Sequence, residues 1–208
     1  RILRAVQVVV DEKLARPILV GRPAVLEKRI DLFGLRLRAG VDFDLINPEW
    51  DERYRDYWQE YHALTDRRGV TEQLAKIEMR RRLSLIGAMM VRRNDADGMI
   101  CGTYGTHAMH LRYVDQVIGR REGASVYAAM NTLMLPDRQL TLVATHVNEA
   151  PDAGQLAEIT LMAADELRRF GLVAEVPRLY ACEPAARAPL TRALIGGVPA
   201  IAVAPEPT

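Results

Sequence analysis

Residues 97–119, DGMICGTYGTHAMHLRYVDQVIG, decide the fold of this chain. They begin with a short apolar run at 99–101 and continue through a loop that contains Gly102 and Gly105. After the loop, apolar residues recur at helical spacing, namely Leu111, Val114, Val117 and Ile118. This order predicts a buried strand, a glycine turn and an amphipathic helix. In that layout, backbone N–H groups and the helix N-terminus point toward a place where an anion can bind.

Arg112 adds a positive charge to this stretch, because it lies about one turn into the predicted helix. From there a guanidinium can reach a bound phosphate with two parallel hydrogen bonds. A second interpretation is an ordinary strand-to-helix corner, where the glycines only make the turn and the arginine is solvated. The motif alone leaves both interpretations open.

Composition limits the classes of function. The chain has 208 residues, which suits one large domain or two small ones. Its net charge is +1, from 28 basic and 27 acidic residues, so no overall field favours nucleic acid or an anionic membrane. The arginines at 80–82 are expected on the solvated side of a helix, with a polyanion site as the second interpretation. No apolar run approaches the ~18 residues of a membrane span, and we expect neither a span nor a secretory signal.

The cysteines and the first residue bear on where the protein is found. Cys101 and Cys182 lie far apart and lack the spacing of a metal site. This usage favours reduced thiols and a cytoplasmic location. The sequence opens at Arg1, inside an apparent helix, and we therefore expect a piece of a longer polypeptide.

Helices and β-rich runs alternate along the chain, which predicts an α/β fold. We expect a layered α/β/α, Rossmann-like lobe over residues 1–122, which includes the glycine loop. A second, incomplete α/β lobe with a β-hairpin is expected over residues 123–208, with a divergent or truncated C-terminal tail. The crevice between the lobes would be the ligand site.

The individual elements follow from periodicity, caps and turn residues. Besides the helix after the glycine loop, helices are predicted over residues 2–14, 24–33, 51–65, 71–92 and 152–170. Strands are predicted over residues 17–21 (buried and parallel), 41–47, 99–101 and 173–179. Two apolar runs flank Pro136 and predict an antiparallel hairpin over residues 125–135 and 139–147.

Helical periodicity also predicts which side chains are buried. The helix 51–65 has an aromatic stripe that we expect to be core packing rather than a ligand-stacking platform: Tyr54, Tyr57, Trp58, Tyr61 and Leu64. The helix 71–92 is expected to bury Leu74, Ile77, Leu85 and Met89. The helix 152–170 is expected to bury Leu156, Ile159, Ala163 and Leu167.

Metal and nucleophile chemistry is not favoured by the remaining residues. The histidines are His62, His107, His110 and His146, and no pair has HxH or HxxxH spacing. The two nearest the glycine loop could share a helical face, but a third ligand is not evident, so no metal site is predicted. Cys101 ends an apolar run, which favours a buried, inert thiol over a nucleophile. The sequence contains no GxSxG, Walker or complete GxGxxG motif.

Several blocks resemble the phosphate acetyl/butyryl transferase (phosphotransacetylase) family, and most closely its branch fused behind NADP-dependent malic enzyme. They occur in family order and cover most of residues 1–176: ILRAVQVVVDEKLARPILVGRP (2–23), GVDFDLINP (40–48), YWQEYHALTDRRGVT (57–71), ADGMICGT (96–103), AAMNTLMLP (128–136) and QLAEITLMAADELRRFGL (155–172).

This resemblance implies a ligand site at the glycine loop. In the family, the loop and the following helix contribute to the site for CoA and acyl phosphate. A family arginine that contacts phosphate follows a glycine at the interval that separates Gly102 from Arg112 here. The residues implied for phosphate or CoA binding are Gly102, Thr103, Gly105, Thr106 and Arg112. The resemblance implies no covalently bound cofactor, with acetyl-CoA or CoA as ligand or substrate, and we expect no metal.

The sequence also departs from the family pattern. Residues 143–148 read VATHVN, so Ala144 stands where the family has an aspartate. After Val176 the resemblance stops, whereas the family continues with a serine-rich LSxSxxG loop. The family's catalytic serine, arginine and aspartate lie still further toward the C-terminus, so no catalytic residue is assigned in this chain.

The resemblance implies two alternative functions. The favoured one is a regulatory and oligomerisation module that binds acetyl-CoA or an acyl phosphate, with a malic enzyme domain before it in the same polypeptide. The alternative is an active phosphate acetyltransferase, which moves an acyl group between acyl phosphate and CoA. A degraded relative with only structural contacts is a third, lesser option. We expect a homo-oligomer, because missing strands would expose apolar edges, and neither nucleic acid nor a membrane as partner.

Overall fold

The structure is a computed structural model that describes residues 1–102, 104–136, 139–143, 147–148, 150–172, 178–179 and 202–203. The chain divides into two compact units, Arg1–Gly119 and Arg120–Thr208. The assignment of residues 1–122 and 123–208 as domains stays a prediction.

The first unit alternates helices with a pair of short strands. Its elements in chain order are α1 (Ile2–Asp11), β1 (Ile18–Val20), α2 (Pro23–Leu32), β2 (Asp44–Ile46), α3 (Tyr54–Thr65), a 3₁₀ turn (Asp66–Arg68), α4 (Glu72–Arg81), α5 (Leu83–Arg92) and α6 (His107–Val117). None of the helices in the described part of the chain is both long and apolar enough to cross a membrane.

The strands β1 and β2 pair in parallel, with Ile18 opposite Asp44 and Val20 opposite Ile46. A parallel pair needs a crossover connection, which α2 supplies. Proline at the first turn of α2 suits this helix start. The parallel strand predicted at 17–21 is confirmed, although its side chains are half-buried rather than fully buried. The α/β class is confirmed with it.

Two apolar clusters stabilise the first unit. The smaller joins α1 and α2 to the segment before β2 through Leu3, Val6, Ile30, Leu37 and Phe43. The larger gathers side chains of α3, α4, α5 and α6 around the buried Tyr57, Tyr61, Met79 and Met89. The aromatic stripe of α3 therefore contributes to the core, as its helical spacing predicted.

The single helix predicted over residues 71–92 is wrong, because the chain leaves helical geometry at Arg82 (φ −108°, ψ 92°). The structure buries Met79 on α4 and Leu85 on α5. In one continuous helix these positions would lie about 120° apart around the axis. The break lets both enter the same core, and Leu74 and Ile77 are left exposed instead of buried.

The strand predicted at 99–101 is also wrong, since the structure has no regular secondary structure there. A strand needs a neighbour that pairs with its backbone. Among the described residues, no backbone–backbone hydrogen bond reaches this run. Of the three residues in this run, only Met99 packs against the core, beside Gly87 of α5. Ile100 is fully exposed.

The second unit contains β3 (Met130–Met134), β4 (Gln139–Val143), α7 (Ala153–Arg169), β5 (Arg178–Leu179) and β6 (Ala202–Val203). β3 and β4 form the predicted antiparallel hairpin, with Leu133 opposite Leu140. β5 and β6 pair in parallel. The strand predicted at 173–179 falls on described residues only at 178–179.

The helix α7 begins and ends where its local signals predict. Asp152 caps the N-terminus in a capping box with Gln155. Gly171 follows the C-terminus with a φ of +67°, the left-handed conformation common at that position. Ile159 and Ala163 are buried as predicted, whereas Leu156 and Leu167 are only half-buried.

Candidate functional site

The glycine loop leads into α6 through a side-chain cap. Thr106 accepts a hydrogen bond from the Met109 backbone N–H at 3.3 Å, which satisfies one unpaired donor of the first turn. Gly102 and Gly105 have φ values of +142° and +93°, a region that side chains disfavour. A Cβ on Gly105 would also lie 2.3 Å from Met109 Cε. The Met109 methyl ends a flexible side chain and can move, so the loop needs glycine at 105 chiefly for its conformation.

His110 connects this loop to a neighbouring helix. Its Nε2 atom lies 2.9 Å from the Tyr104 carbonyl oxygen. Its Nδ1 atom lies 2.6 Å from the Ser84 hydroxyl at the start of α5. The sequence analysis considered His110 only as a metal ligand, and residue spacing could not show that Ser84 is its neighbour.

Arg112 lies exposed on α6, one residue before the buried Tyr113. Its guanidinium carbon is 5.9 Å from the centre of the Tyr113 ring. No carboxylate in the described part of the chain forms an ion pair with it. The guanidinium is thus available to solvent and to an anion.

A second arginine lies close to the same helix. Arg82 places Nη1 4.0 Å from Met109 Sδ. Burial raises the pKa of Tyr113, the charge of Glu78 adds to that rise, and the positive charges of Arg82 and Arg112 oppose it. Both guanidinium groups are therefore near enough to Tyr113 to act on its ionisation.

Beneath this surface lies a buried carboxylate that the sequence analysis missed. Glu78 of α4, 9% exposed, accepts hydrogen bonds from the Tyr61 hydroxyl at 2.8 Å and from the Tyr113 hydroxyl at 3.1 Å. Gln116 Oε1 lies 3.0 Å from the same Tyr61 hydroxyl. This network joins α3, α4 and α6, and so anchors the helix that carries Arg112.

The other reactive residues have ordinary surroundings. The prediction of a buried Cys101 is wrong, because the run that holds it is unpaired and the thiol is exposed. The described residues contain no group of histidine, cysteine or acidic side chains that could hold a metal ion. His62 is used internally, with Nδ1 3.0 Å from the Val70 carbonyl oxygen. His146 and Ala144 lie outside the described residues.

The implied ligand residues are only partly described. Gly102, Gly105, Thr106 and Arg112 lie along one loop and the helix that follows it. Thr103 lies outside the described residues. The assignment of these five positions to phosphate or CoA binding stays a prediction.

Comparison with known proteins places this geometry in a family. The family model described as phosphate acetyl/butaryl transferase matches residues 1–180. The chain belongs to this family. The phosphate acetyl/butaryl transferase resemblance seen in the sequence blocks is thereby confirmed.

The most similar curated relatives of this family member include malic enzymes. The NADP-dependent malic enzyme of Escherichia coli (strain K12) is 48% identical over 179 residues, which is 86% of this chain and 24% of the enzyme. The phosphate acetyltransferase of Nitratidesulfovibrio vulgaris (strain Hildenborough) is 32% identical over 179 residues, again 86% of this chain and 25% of that protein. The chain thus spans about a quarter of the length of these relatives.

Solved structures support the phosphotransacetylase fold. A phosphotransacetylase from Streptococcus pyogenes matches with a TM-score of 0.79 at 22% identity, over 96% of this chain and 63% of that one. The EutD phosphotransacetylase from Staphylococcus aureus matches with a TM-score of 0.75 at 19% identity, over 98% of this chain and 64% of that one. At this level of identity the likeness concerns the fold alone.

Proposed function

We propose that this chain is the regulatory and oligomerisation module of an NADP-dependent malic enzyme and that it binds acetyl-CoA or an acyl phosphate. The ligand's phosphate would lie against the loop 102–106 and the guanidinium of Arg112. A cytoplasmic location, expected from the cysteine usage, belongs to the same proposal.

The exposed Arg112 is the observation that carries this proposal. Its guanidinium has no carboxylate partner in the described part of the chain. Arg112 lies on α6, whose N-terminus is capped by Thr106 and preceded by the glycine loop. A guanidinium and backbone N–H groups are the donors that phosphate recognition uses. The 48% identity to a malic enzyme supports the malic enzyme setting over a free-standing enzyme.

Binding without turnover is the chemical expectation for the chain alone. Acyl transfer from an acyl phosphate to CoA requires a base for the thiol proton and donors for the oxyanion. The resemblance implies that the family's catalytic residues follow the shared blocks, which end near residue 176. Donors that hold a phosphate without the base should leave binding intact and the rate poor.

An active phosphate acetyltransferase is the second candidate, favoured by the 32% identity to such an enzyme. A coupled assay for acetyl-CoA formation from acetyl phosphate and CoA separates the two. Turnover well above the blank with the 208-residue chain would favour the enzyme, and saturable binding of acetyl-CoA with no turnover would favour the module.

Arg112→Ala is the direct test of the ligand site. We expect calorimetry with acetyl-CoA to show saturable binding to the wild-type chain and binding weakened by about tenfold or more in the variant, because charge-assisted hydrogen bonds to phosphate are lost. Arg112→Lys should bind with intermediate affinity, since it keeps the charge and loses the planar fork.

Arg55→Ala is the matched control, because Arg55 is an exposed arginine of α3 far along the chain from the loop. It removes the same charge and should leave binding unchanged. Equal losses in Arg55→Ala and Arg112→Ala would point to a general charge effect. A folded wild-type chain that binds no acetyl-CoA would remove the proposal.

A further inference from the structure

The side chain of His110 forms a hydrogen bond to the backbone of the glycine loop. Among the described residues, positions 97–102, 104 and 105 take part in no backbone–backbone hydrogen bond. The loop backbone is instead held from α6, by the contact of 2.9 Å between His110 Nε2 and the Tyr104 carbonyl oxygen. The Tyr104 carbonyl is therefore held by an imidazole rather than by regular secondary structure.

The two contacts of the ring define its tautomer. A carbonyl oxygen can only accept, so Nε2 must carry the proton that is donated to Tyr104. In the neutral ring, Nδ1 is then an acceptor, and the Ser84 hydroxyl donates to it across 2.6 Å. Ser84 is only 8% exposed, and its hydroxyl bonds the ring from the start of α5.

The orientation of Tyr104 has a consequence for the next residue. In a trans peptide, the carbonyl of one residue and the N–H of the following residue point in opposite directions. The Tyr104 carbonyl faces His110, so the N–H of Gly105 faces away from it. That N–H has no acceptor in the described part of the chain. The Gly105 N–H is therefore a hydrogen-bond donor that the loop offers just before the start of α6.

We propose that His110 is a positioning residue for anion binding: held by Ser84, it turns the Tyr104 carbonyl away and aims the Gly105 N–H at the ligand's phosphate. This inference depends on the function proposed above, because it names the residue that orients a donor of that site. Gly105 suits the role, since its φ of +93° is a backbone conformation that residues with a side chain disfavour.

Binding measurements on the full chain test the inference through three variants. His110→Phe keeps a ring but loses both hydrogen bonds, and we expect acetyl-CoA affinity to fall by roughly 3- to 10-fold. His110→Gln can still donate an amide N–H to the Tyr104 carbonyl and should restore part of the affinity. Ser84→Ala leaves the Nε2 donor in place and should lie between the wild type and His110→Phe.

His107→Phe is the matched control, because His107 is exposed on the same helix. It should leave both affinity and melting temperature unchanged. A purely structural role of His110 would lower the melting temperature in both His110 variants without the recovery of affinity in His110→Gln. Affinity in His110→Phe equal to that of the wild type would overturn the inference.

Nuclear magnetic resonance separates this inference from the function on which it depends. The nitrogen shifts of His110 should report a protonated Nε2 and an unprotonated Nδ1 in the neutral ring, and a protonated Nδ1 would overturn the inference whether or not a ligand binds. A wild-type chain with the expected tautomer and no affinity for acetyl-CoA would contradict the proposed function. It would leave the hydrogen bonds of His110 to Tyr104 and Ser84 uncontradicted.

Discussion

At the scale of single residues, buried polar groups organise the helices of the first unit. Glu78 lies inside the cluster formed by α3, α4, α5 and α6, where an ionised carboxylate is costly unless it is hydrogen-bonded. The hydroxyl groups of Tyr61 and Tyr113 each donate a hydrogen bond to the Glu78 carboxylate. The three residues therefore act as one unit, in which loss of one member leaves a buried partner without its bond.

Buried tyrosines predict a loss of stability at alkaline pH. Burial raises the pKa values of Tyr57, Tyr61 and Tyr113 above their ordinary value. A phenol whose pKa is higher in the folded than in the unfolded chain contributes stability below the unfolded pKa of about 10 and loses it as pH rises through the folded pKa. Melting temperature measured against pH should therefore fall above about pH 10.

Tyr61→Phe should make this alkaline fall shallower, because one of the three phenols no longer ionises. The variant should also melt lower at neutral pH, since Glu78 loses a donor. Tyr104→Phe is the control, because Tyr104 is 88% exposed and lies outside the buried network around Glu78. An unchanged alkaline slope in Tyr61→Phe would contradict the assignment.

At the scale of elements, helix ends were predictable where the signal is local. Thr71 caps α4 by accepting from the Leu74 N–H at 3.3 Å, and Gly171 follows α7 in the left-handed conformation. The break at Arg82 was not predictable, because it results from the burial of Met79 and Leu85 in one core. Periodicity describes a straight helix and carries no information about a bend that packing requires.

The capping box of α7 predicts a measurable effect on stability. Asp152 Oδ1 accepts from the Gln155 N–H at 2.9 Å, and Gln155 Oε1 accepts from the Asp152 N–H at 3.0 Å. Asp152→Ala should lower the free energy of unfolding by about 1 kcal/mol, because a donor of the first turn loses its partner. Urea denaturation followed by circular dichroism measures the change.

Asp165→Ala is the control within the same helix. Asp165 forms an exposed ion pair with Arg168 at 2.9 Å, and such pairs contribute at most a few tenths of a kcal/mol, about 0.5 on helix surfaces. Equal losses of unfolding free energy in Asp152→Ala and Asp165→Ala would show that the capping box stabilises α7 no more than an exposed ion pair does.

At the scale of the whole molecule, the hairpin of the second unit has an apolar outer face. Leu133 and Leu140 face each other across β3 and β4 and are 45% and 44% exposed. Leu142, on the same face of β4, is 45% exposed. Contiguous exposed apolar side chains favour association, and this face is consistent with the oligomer that we propose.

Sedimentation should therefore give a mass above the 23.3 kDa of one chain. Leu133→Glu should shift the distribution toward the monomer, because a charge would have to be buried in the contact. Leu14→Glu is the control, since Leu14 is an exposed leucine in the first unit. A wild-type chain that is monomeric at all concentrations measured would contradict self-association.

The sequence by itself determined the elements and their local ends: the α/β class, the hairpin, the capped starts at Thr71 and Asp152 and the glycine turns. These features depend on neighbours within a few positions along the chain, which a sequence displays directly. It also identified Gly105 and Arg112 as parts of one loop and helix.

Only the tertiary structure decided which side chains meet. Ser84 and His110 are 26 positions apart, and Glu78 and Tyr113 are 35 positions apart. The unpaired run at 99–101 was mistaken for a buried strand for the same reason, since apolar residues form a strand only when another strand pairs with them. Contacts between distant positions exist only after helices pack, so no local pattern specifies them.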